Sequence, residues 1–197
     1  MISTNFSDQV HFFQMFLAAP RTVGAIAPSS SALAAEIVRT ARVADARTIV
    51  ELGGGTGSFT RAITQEASHE AMIVSIEVNP RFAEILRSRF RRVHVIADSA
   101  ERVVEHVRAA GRTSADCVVS GLPWAAFNGD LQSRLLVAIS DVLVSGGVFA
   151  TFAYLHAAWL PAARQFRNRL RSSFSFVRVT PIVWRNLPPA FVYVCVR

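Results

Sequence analysis

The sequence contains no lysine, because all 21 of its basic residues are arginine. A lysine Schiff base and the phosphate-binding lysine of a P-loop are therefore excluded. The two cysteines, Cys117 and Cys195, lie in separate apolar runs, which argues against a disulfide framework and against a zinc site. No apolar run approaches the roughly 20 residues of a membrane-spanning helix, and we find no pattern of a secretory signal peptide. These absences predict a cytoplasmic protein.

The composition is apolar and basic. Hydrophobic residues make up 51% of the chain and the mean hydropathy is +0.32, which fits a sheet covered on both faces rather than a disordered chain. A length of 197 residues suits one domain with a substantial core. The formal net charge of +7 favours an anionic partner, either nucleic acid or an anionic membrane surface.

Apolar runs alternate with segments of helical period from residue 48 onward. The runs predict strands at Thr48 to Leu52, Met72 to Val78, Val93 to Ala97, Asp116 to Ser120 and Val148 to Tyr154. The segments between them predict helices at Ser58 to Ala67, Pro80 to Phe90, Ala100 to Ala110 and Asp130 to Val144. Such alternation is typical of right-handed βαβ units and a parallel sheet.

The end of the chain departs from this alternation. Two further strands, Phe174 to Trp184 and Phe191 to Val196, are joined by a link too short for a crossover and must be antiparallel. We therefore expect an α/β, Rossmann-like fold: a mostly parallel seven-stranded sheet with a C-terminal antiparallel hairpin and helices on both faces. One domain should span residues 1–197, with N-terminal helices in 1–47 and the core in 48–197.

The N-terminal segment predicts a short amphipathic helix at residues 8–18, followed by a loop and a second helix at 32–41. The serines at 29–31 are suited to cap the second helix. The first helix can either dock on an anionic membrane or pack against the protein as a lid. Its apolar face comprises Val10, Phe12, Phe13, Met15, Phe16 and Leu17.

A glycine-rich segment, Glu51-Leu52-Gly53-Gly54-Gly55-Thr56-Gly57, joins the first predicted strand to the next helix. Glycines at 53, 55 and 57 permit a tight turn and a close approach of backbone to a ligand, and the amides at the helix start can hold a carboxylate. A dinucleotide fingerprint would need its third glycine at position 58, where Ser58 stands. The spacing therefore favours S-adenosylmethionine over NAD.

Acidic residues follow the second and third predicted strands. Glu77 can accept hydrogen bonds from both ribose hydroxyls of an adenosine, and Asp98 can accept one from the adenine amino group. Asp98 or Ser99 can also cap the following helix. Over residues 48–156, the series of Glu51, the glycines, Glu77 and Asp98 resembles the class I S-adenosylmethionine-dependent methyltransferases. The resemblance implies that these residues hold the methionine end, the ribose and the adenine of the cofactor, whose product is S-adenosylhomocysteine.

The acceptor side is predicted after the fourth and fifth strands. Adenine-N6 methyltransferases, including ribosomal RNA adenine dimethylases, carry Asn-Leu-Pro-Tyr or a close variant after the fourth strand, whereas Gly121 stands at the Asn position here. This departure counts against adenine in nucleic acid as the acceptor. Tyr154 and His156 are the candidates for steering or accepting a proton. Trp124 and Tyr154 are the candidates for presenting π faces to a cation.

Three segments also resemble the bacterial phospholipid N-methyltransferases: Val23 to Ser30, Ser120 to Pro123 and Trp184 to Ala190. This resemblance implies stepwise methylation of phosphatidylethanolamine to phosphatidylcholine by a peripheral enzyme, whose N-terminal amphipathic helix docks on anionic lipid at the inner face of the cell membrane. Ser29 and Gly121, which lie in these segments, are further candidates for cofactor contacts, as is Ser99 beside Asp98.

Other functions stay open on the sequence alone. A soluble methyltransferase of a small amine or natural product would use the N-terminal helix as a lid. A ribosomal RNA adenine methyltransferase would use the positive charge and the Leu122-Pro123-Trp124 triplet. A module that binds the cofactor without catalysis would need only the glycine loop and the two acidic residues. A group of arginines at 164, 167, 169 and 171 predicts either a phosphate-binding helix or a solvated one.

Overall fold

A computed structural model describes residues 29–197, so the amphipathic helix predicted at residues 8–18 lies outside the described residues. The strands are β1 Thr48–Leu52, β2 Met72–Ile76, β3 His94–Ile96, β4 Ala115–Ser120, β5 Leu143–Tyr154, β6 Phe176–Val179 and β7 Ala190–Val196. The α-helices are α1 Ser31–Thr40, α2 Ser58–Glu66, α3 Pro80–Arg89, α4 Val103–Ala109, α5 Gly129–Val142 and α6 Pro161–Ser173.

The strands form one seven-stranded sheet in the order β3-β2-β1-β4-β5-β7-β6. Strands β1 to β5 pair in parallel, and β7 runs antiparallel between β5 and β6. This arrangement confirms the predicted fold class, including the antiparallel hairpin at the end of the chain. It places β1 in the middle of the parallel part, with the cofactor motif at its carboxyl end.

Two apolar cores lie on opposite faces of the sheet. Ile49 of β1 packs in the core formed with α1 and α2, whereas its neighbour Val50 packs in the core formed with α4, α5 and α6. Because successive side chains of a strand point to opposite faces, a strand buried on both sides reads as a continuous apolar run. All five residues of β1 are buried, which explains why its sequence pattern predicted the strand so well.

Side-chain caps set the starts of several helices. The Ser30 hydroxyl accepts a hydrogen bond from the Leu33 amide at 3.2 Å and begins α1, as the run of serines predicted. Asn79 caps α3, whose first residue is Pro80. Asn128 caps α5 in the same way. None of the helices within residues 29–197 is both long and apolar enough to cross a bilayer.

Several element boundaries differ from the predictions by one to three residues, and those of β5 and β6 differ most. Strand β5 begins at Leu143, five residues before the predicted start, because an irregularity in its pairing with β4 takes up extra residues that include Gly146 at φ +76°. Strand β6 covers only residues 176–179. At its start, α6 continues to Ser173 and Phe174 is buried against Phe149. At its end, Pro181 has no amide hydrogen to donate, and the pairing with β7 resumes only as an isolated bridge between Val183 and Ala190. The hairpin is therefore shorter than its apolar sequence suggests.

Trp124 packs in the core instead of offering an open ring face to a ligand, which corrects our expectation from the sequence. It is 3% exposed and stacks on Phe166 with ring centroids 4.9 Å apart. Its edge contacts Phe149, and its indole Nε1 donates a hydrogen bond to the Ser120 hydroxyl at 3.2 Å. The segment after β4 turns this side chain into the core, where Phe149 of β5 and Phe166 of α6 pack against it.

We predict that Trp124→Ala lowers the free energy of unfolding by about 3–5 kcal/mol, the usual cost of removing a buried aromatic side chain. Trp159→Ala is the matched control, because Trp159 is 75% exposed and its loss should cost about 0.5 kcal/mol or less. Urea unfolding followed by circular dichroism measures both. Equal losses for the two variants would contradict the core position of Trp124.

Candidate cofactor and acceptor site

The predicted site residues lie at the carboxyl ends of five adjacent parallel strands, which we call the carboxyl edge. Along the order β3-β2-β1-β4-β5 they are Asp98, Glu77, the glycine loop from Gly53, Gly121 and Tyr154. Ligands of open α/β sheets bind at this edge. The fold therefore gathers on one side of the sheet residues that lie up to a hundred positions apart in the chain.

The glycine loop has the backbone that only glycine adopts readily. Gly53, Gly55 and Gly57 have φ values of +76°, +51° and +89°. A Cβ at position 57 would lie 2.6 Å from the Phe90 ring, whereas a Cβ at position 55 would meet nothing within 4 Å. The loop is thus packed from below at Gly57 and opens onto free space at Gly55, as a cradle for a ligand requires.

Glu51 is fully buried beneath this loop. The Thr60 hydroxyl donates to its two carboxyl oxygens at 2.9 and 2.8 Å, and the Ser75 hydroxyl donates to one of them at 2.5 Å. Burial raises the pKa of Glu51 from 4.5 to about 7, although the hydroxyl hydrogen bonds oppose the rise. Glu51 thereby links β1 to α2 and β2. The roles of Thr60 and Ser75 were not predicted from the sequence. The only indication of a buried polar contact was the presence of a serine within the apolar run of β2.

Glu77 bridges the glycine loop and the start of α3. Its Oε2 accepts from the Gly55 amide at 2.8 Å and its Oε1 accepts from the Asn79 amide, also at 2.8 Å. The side chain is fully buried, and burial raises the pKa of its carboxyl although both amides lower it. Each carboxylate oxygen has a second lone pair, so the two amides do not exhaust the acceptor capacity of Glu77.

Asp98 is engaged by three groups. Its Oδ1 accepts from the Ser99 amide at 2.7 Å, and its Oδ2 contacts Arg102 at 2.6 Å and His106 Nε2 at 2.9 Å. The amide hydrogen bond, together with Arg102, lowers the pKa of the Asp98 carboxyl. The Ser99 hydroxyl accepts from the Glu101 amide at 3.3 Å and caps a short 3-10 turn. The capping role considered for Ser99 is therefore present, and Asp98 is an oriented anion at the carboxyl edge.

Gly121 approaches the glycine loop so closely that no side chain fits there. Its amide donates to the Leu52 carbonyl at 2.8 Å, and a Cβ built on it would lie 2.7 Å from the Gly53 carbonyl oxygen. An asparagine at this position would require the loop to move. The glycine that departs from the adenine methyltransferase pattern thus has a steric cause in this fold.

The segment after Gly121 is held by two buried polar residues that the sequence analysis missed. The Ser120 hydroxyl accepts from the Leu122 amide and from Trp124 Nε1, both at 3.2 Å. Gln132 of α5 donates its amide to the Trp124 carbonyl at 2.7 Å. These contacts fix the backbone of residues 120–124 against the core.

An aromatic series runs from the start of α2 to the end of β5. Phe59 contacts Phe152 with centroids 5.6 Å apart, and Phe152 contacts Tyr154 at 5.4 Å. Tyr154 in turn stacks on His156 at 5.8 Å with the rings 19° from parallel. Burial raises the pKa of Tyr154 above its usual value of 10, which keeps the phenol protonated at neutral pH, whereas His156 is exposed.

Ser29 directly precedes the cap of α1. The backbone amide of the next residue, Ser30, donates to the Asn186 side chain at 2.9 Å, and the Asn186 amide donates to the Pro188 carbonyl at 2.7 Å. The start of α1 is therefore tied to the loop between β6 and β7, which lies beside the end of β5.

A sequence profile of the methyltransferase domain matches residues 49–147, which run from β1 through most of the parallel sheet. The chain belongs to this family. It is 32% identical over 187 residues to an ornithine lipid N-methyltransferase of Singulisphaera acidiphila, covering 93% of each protein. It is also 28% identical over 134 residues to a mitochondrial ribosomal RNA small subunit methyltransferase of Arabidopsis thaliana, which is 68% of this chain and 30% of that protein.

The fold is shared with solved methyltransferases. An O-methyltransferase from Bacillus cereus, in complex with S-adenosylhomocysteine, matches with a TM-score of 0.63 and 15% identity over 100% of this chain and 94% of that chain. Family and fold together make this chain an S-adenosylmethionine-dependent methyltransferase, as the glycine motif predicted.

We predict that Gly55→Ala weakens S-adenosylmethionine binding at least tenfold in isothermal titration calorimetry, because the added methyl enters the open side of the loop. Gly111→Ala is the matched control: Gly111 has φ +80° and equally free space, but it follows α4, away from the carboxyl edge. Both changes should cost about 1 kcal/mol of stability from the left-handed backbone. Unchanged affinity in Gly55→Ala would remove the loop from the site.

We further predict that stability falls as pH rises from 5 to 8 because of Glu51. The unfolded carboxyl ionises above about pH 4.5, whereas the folded one holds its proton until about pH 7, so the folded state binds more protons across this window. The loss should reach at most about 3 kcal/mol. Urea unfolding at pH 5, 6, 7 and 8 should show a weaker pH dependence for Glu51→Gln. An identical dependence in both proteins would place the titration elsewhere.

Proposed function

We propose that the protein transfers a methyl group from S-adenosylmethionine to the amino group of a membrane lipid. The observation that carries this proposal is the similarity to an ornithine lipid N-methyltransferase over 93% of the chain. That similarity extends well beyond residues 49–147, where the general methyltransferase profile matches. The residues outside this range include α6, β6 and β7, which flank the acceptor side of the carboxyl edge, so they favour a related acceptor.

The acceptor headgroup that we propose first is phosphatidylethanolamine, methylated towards phosphatidylcholine. The motifs at 23–30, 120–123 and 184–190 support it through their resemblance to phospholipid N-methyltransferases. The name of the relative supports an ornithine lipid as the second candidate. Ethanolamine and ornithine headgroups both offer a primary amine, so the same positioning chemistry serves either one.

The described residues suit the proposed cofactor. Free space beside Gly55, the remaining lone pairs of Glu77 and the oriented carboxylate of Asp98 match a methionine end, a ribose and an adenine in that order. When bound, S-adenosylmethionine supplies an electrophilic methyl group on a sulfonium. We assign the positioning of the cofactor to the glycine loop, Glu77 and Asp98, with Glu51 supporting the loop from beneath.

The remaining residues at the site must remove or redirect a proton of the acceptor amine. An ammonium has no lone pair, so the headgroup must lose a proton before its nitrogen attacks the methyl group. Tyr154 does not take up this proton, because burial raises its pKa and the phenol is already protonated at neutral pH. We propose that Tyr154 orients its stacked neighbour. His156 is then the group that accepts or steers the proton. Holding the two reactants in the reactive orientation lowers the activation free energy by several further kcal/mol.

Nucleic acid is the less favoured acceptor. The close approach of Gly121 to the Gly53 carbonyl leaves no room for the asparagine side chain by which adenine methyltransferases hold their amine. The similarity to the ribosomal RNA methyltransferase covers 30% of that protein, which is the part expected from a shared cofactor domain.

The proposal is tested by lipid mass spectrometry. Expression in a bacterium that makes phosphatidylethanolamine but no phosphatidylcholine should produce mono-, di- or trimethylated ethanolamine lipids, and Gly55→Ala should reduce their amount strongly while Gly111→Ala should not. Purified ornithine lipid in detergent micelles, with labelled donor, tests the second headgroup. A protein that binds the donor but methylates neither lipid would contradict the proposal and favour a small soluble amine.

A further inference from the structure

Four large apolar side chains are exposed on two loops at the carboxyl edge. They are Trp159 and Leu160 after β5, and Trp184 and Leu187 between β6 and β7, with exposures from 53% to 79%. We call these four residues the apolar rim. Single exposed apolar residues need no explanation, but two tryptophans and two leucines in adjoining loops form a patch that marks an interaction surface.

The two loops of the apolar rim are joined at the end of β5. Tyr154 of β5 pairs with Ala190, the first residue of β7. The next amide, that of Leu155, donates to the Pro189 carbonyl at 2.8 Å. Both loops therefore leave the sheet at the same end, beside the proposed acceptor position, rather than at the opposite end of the strands.

The positive charge of the protein is concentrated in the same part of the chain. Residues 142–197 contain seven arginines and neither aspartate nor glutamate, whereas the other 14 arginines are balanced by all 14 acidic residues. Within residues 29–197, every ion pair lies between residues 36 and 134. Arg164 and Arg185 are exposed and adjoin the rim, since the Arg164 amide donates to the Leu160 carbonyl at 3.2 Å.

We infer that the apolar rim and its arginines dock on an anionic lipid bilayer, with the carboxyl edge facing the headgroups. Tryptophan and leucine favour the membrane interface, and an arginine near an anionic surface strengthens binding by roughly fivefold. Residues 1–28 match this surface less well, because their one aspartate is balanced by one arginine and they offer no net negative charge to the arginines. The inference rests on the proposed lipid acceptor and assigns the surface by which the enzyme reaches it.

The test uses the full chain and its own tryptophans. Trp124 is buried, so emission that responds to lipid reports on the rim. With phosphatidylglycerol vesicles carrying brominated acyl chains, we expect a blue shift and quenching. Phosphatidylcholine vesicles should bind at least tenfold more weakly in sedimentation.

Variants separate the rim from general surface effects. Trp159→Ser with Trp184→Ser should weaken vesicle binding at least tenfold, and Arg164→Gln with Arg185→Gln by a similar factor. The matched controls should bind as the unaltered protein does: Val137→Ser on α5, which removes another exposed apolar side chain, and Arg108→Gln with Arg112→Gln near the opposite end of the sheet.

Full binding by the double tryptophan variant, or bound protein whose tryptophan emission is not quenched, would overturn the inference. A second result would also overturn it. If the tryptophan emission of the unaltered protein is already blue-shifted without lipid, and shifts to the red in the double variant Phe12→Ser with Phe16→Ser, then residues 1–28 cover the rim. Failure here is distinct from failure of the proposed function. Methylation of lipid in detergent micelles without vesicle binding would refute only the docking surface, whereas vesicle binding without lipid methylation would refute only the lipid acceptor.

Discussion

The buried carboxyl of Glu51 is the contact on which the site depends. It stands at the carboxyl end of the central strand, and hydroxyls from α2 and β2 converge on it. A Cβ at position 54 would lie 3.0 Å from its Oε2 and 2.7 Å from the Ser75 hydroxyl, so the loop can cross this cluster only as glycine. Burying a carboxyl is costly unless it is hydrogen-bonded or protonated. Glu51 accepts hydrogen bonds from two hydroxyls, and burial raises its pKa to about 7. At Gly54 the loop is thus constrained by this polar cluster and by the Leu86 side chain, which a Cβ would approach to 2.7 Å.

The parallel sheet could be predicted because its signal is local. Each residue of β1 is buried on one face or the other, so a short apolar run is enough to identify the strand, and the side chains that cap α1 and α3 stand next to the helices they begin. The limits of β5 and β6 were wrong because they depend on pairing with other strands. A bulge against β4 lengthens β5, whereas the pairing of β6 with β7 stops before Pro181 and leaves only an isolated bridge at Val183.

In the candidate site, too, some residues could be predicted from the sequence and others could not. Glu77 and Asp98 could be proposed from the sequence because strand ends of a doubly wound sheet meet at one edge. Thr60 and Ser75 could not, since their partner Glu51 is 9 and 24 positions away and hydroxyl residues occur throughout the chain. The prediction for Trp124 was wrong for a related reason: its position after β4 is at the edge, but its side chain turns into the core against Phe149 of β5 and Phe166 of α6.

The distribution of charged residues divides the chain at residue 142 into a cofactor part before it and an acceptor part from it onward. The cofactor part uses its acidic residues as hydrogen-bond acceptors, and arginine or histidine side chains pair with some of them, as at Asp98. The acceptor part from residue 142 onward has no acidic residue to pair with its arginines. Charge repulsion within that part has a cost, and an anionic surface nearby would offset it. If the acceptor is the lipid amine that we propose, a carboxylate at the rim would repel an anionic membrane and also hold the ammonium headgroup in its protonated form, so the same absence of acids would serve both docking and methyl transfer.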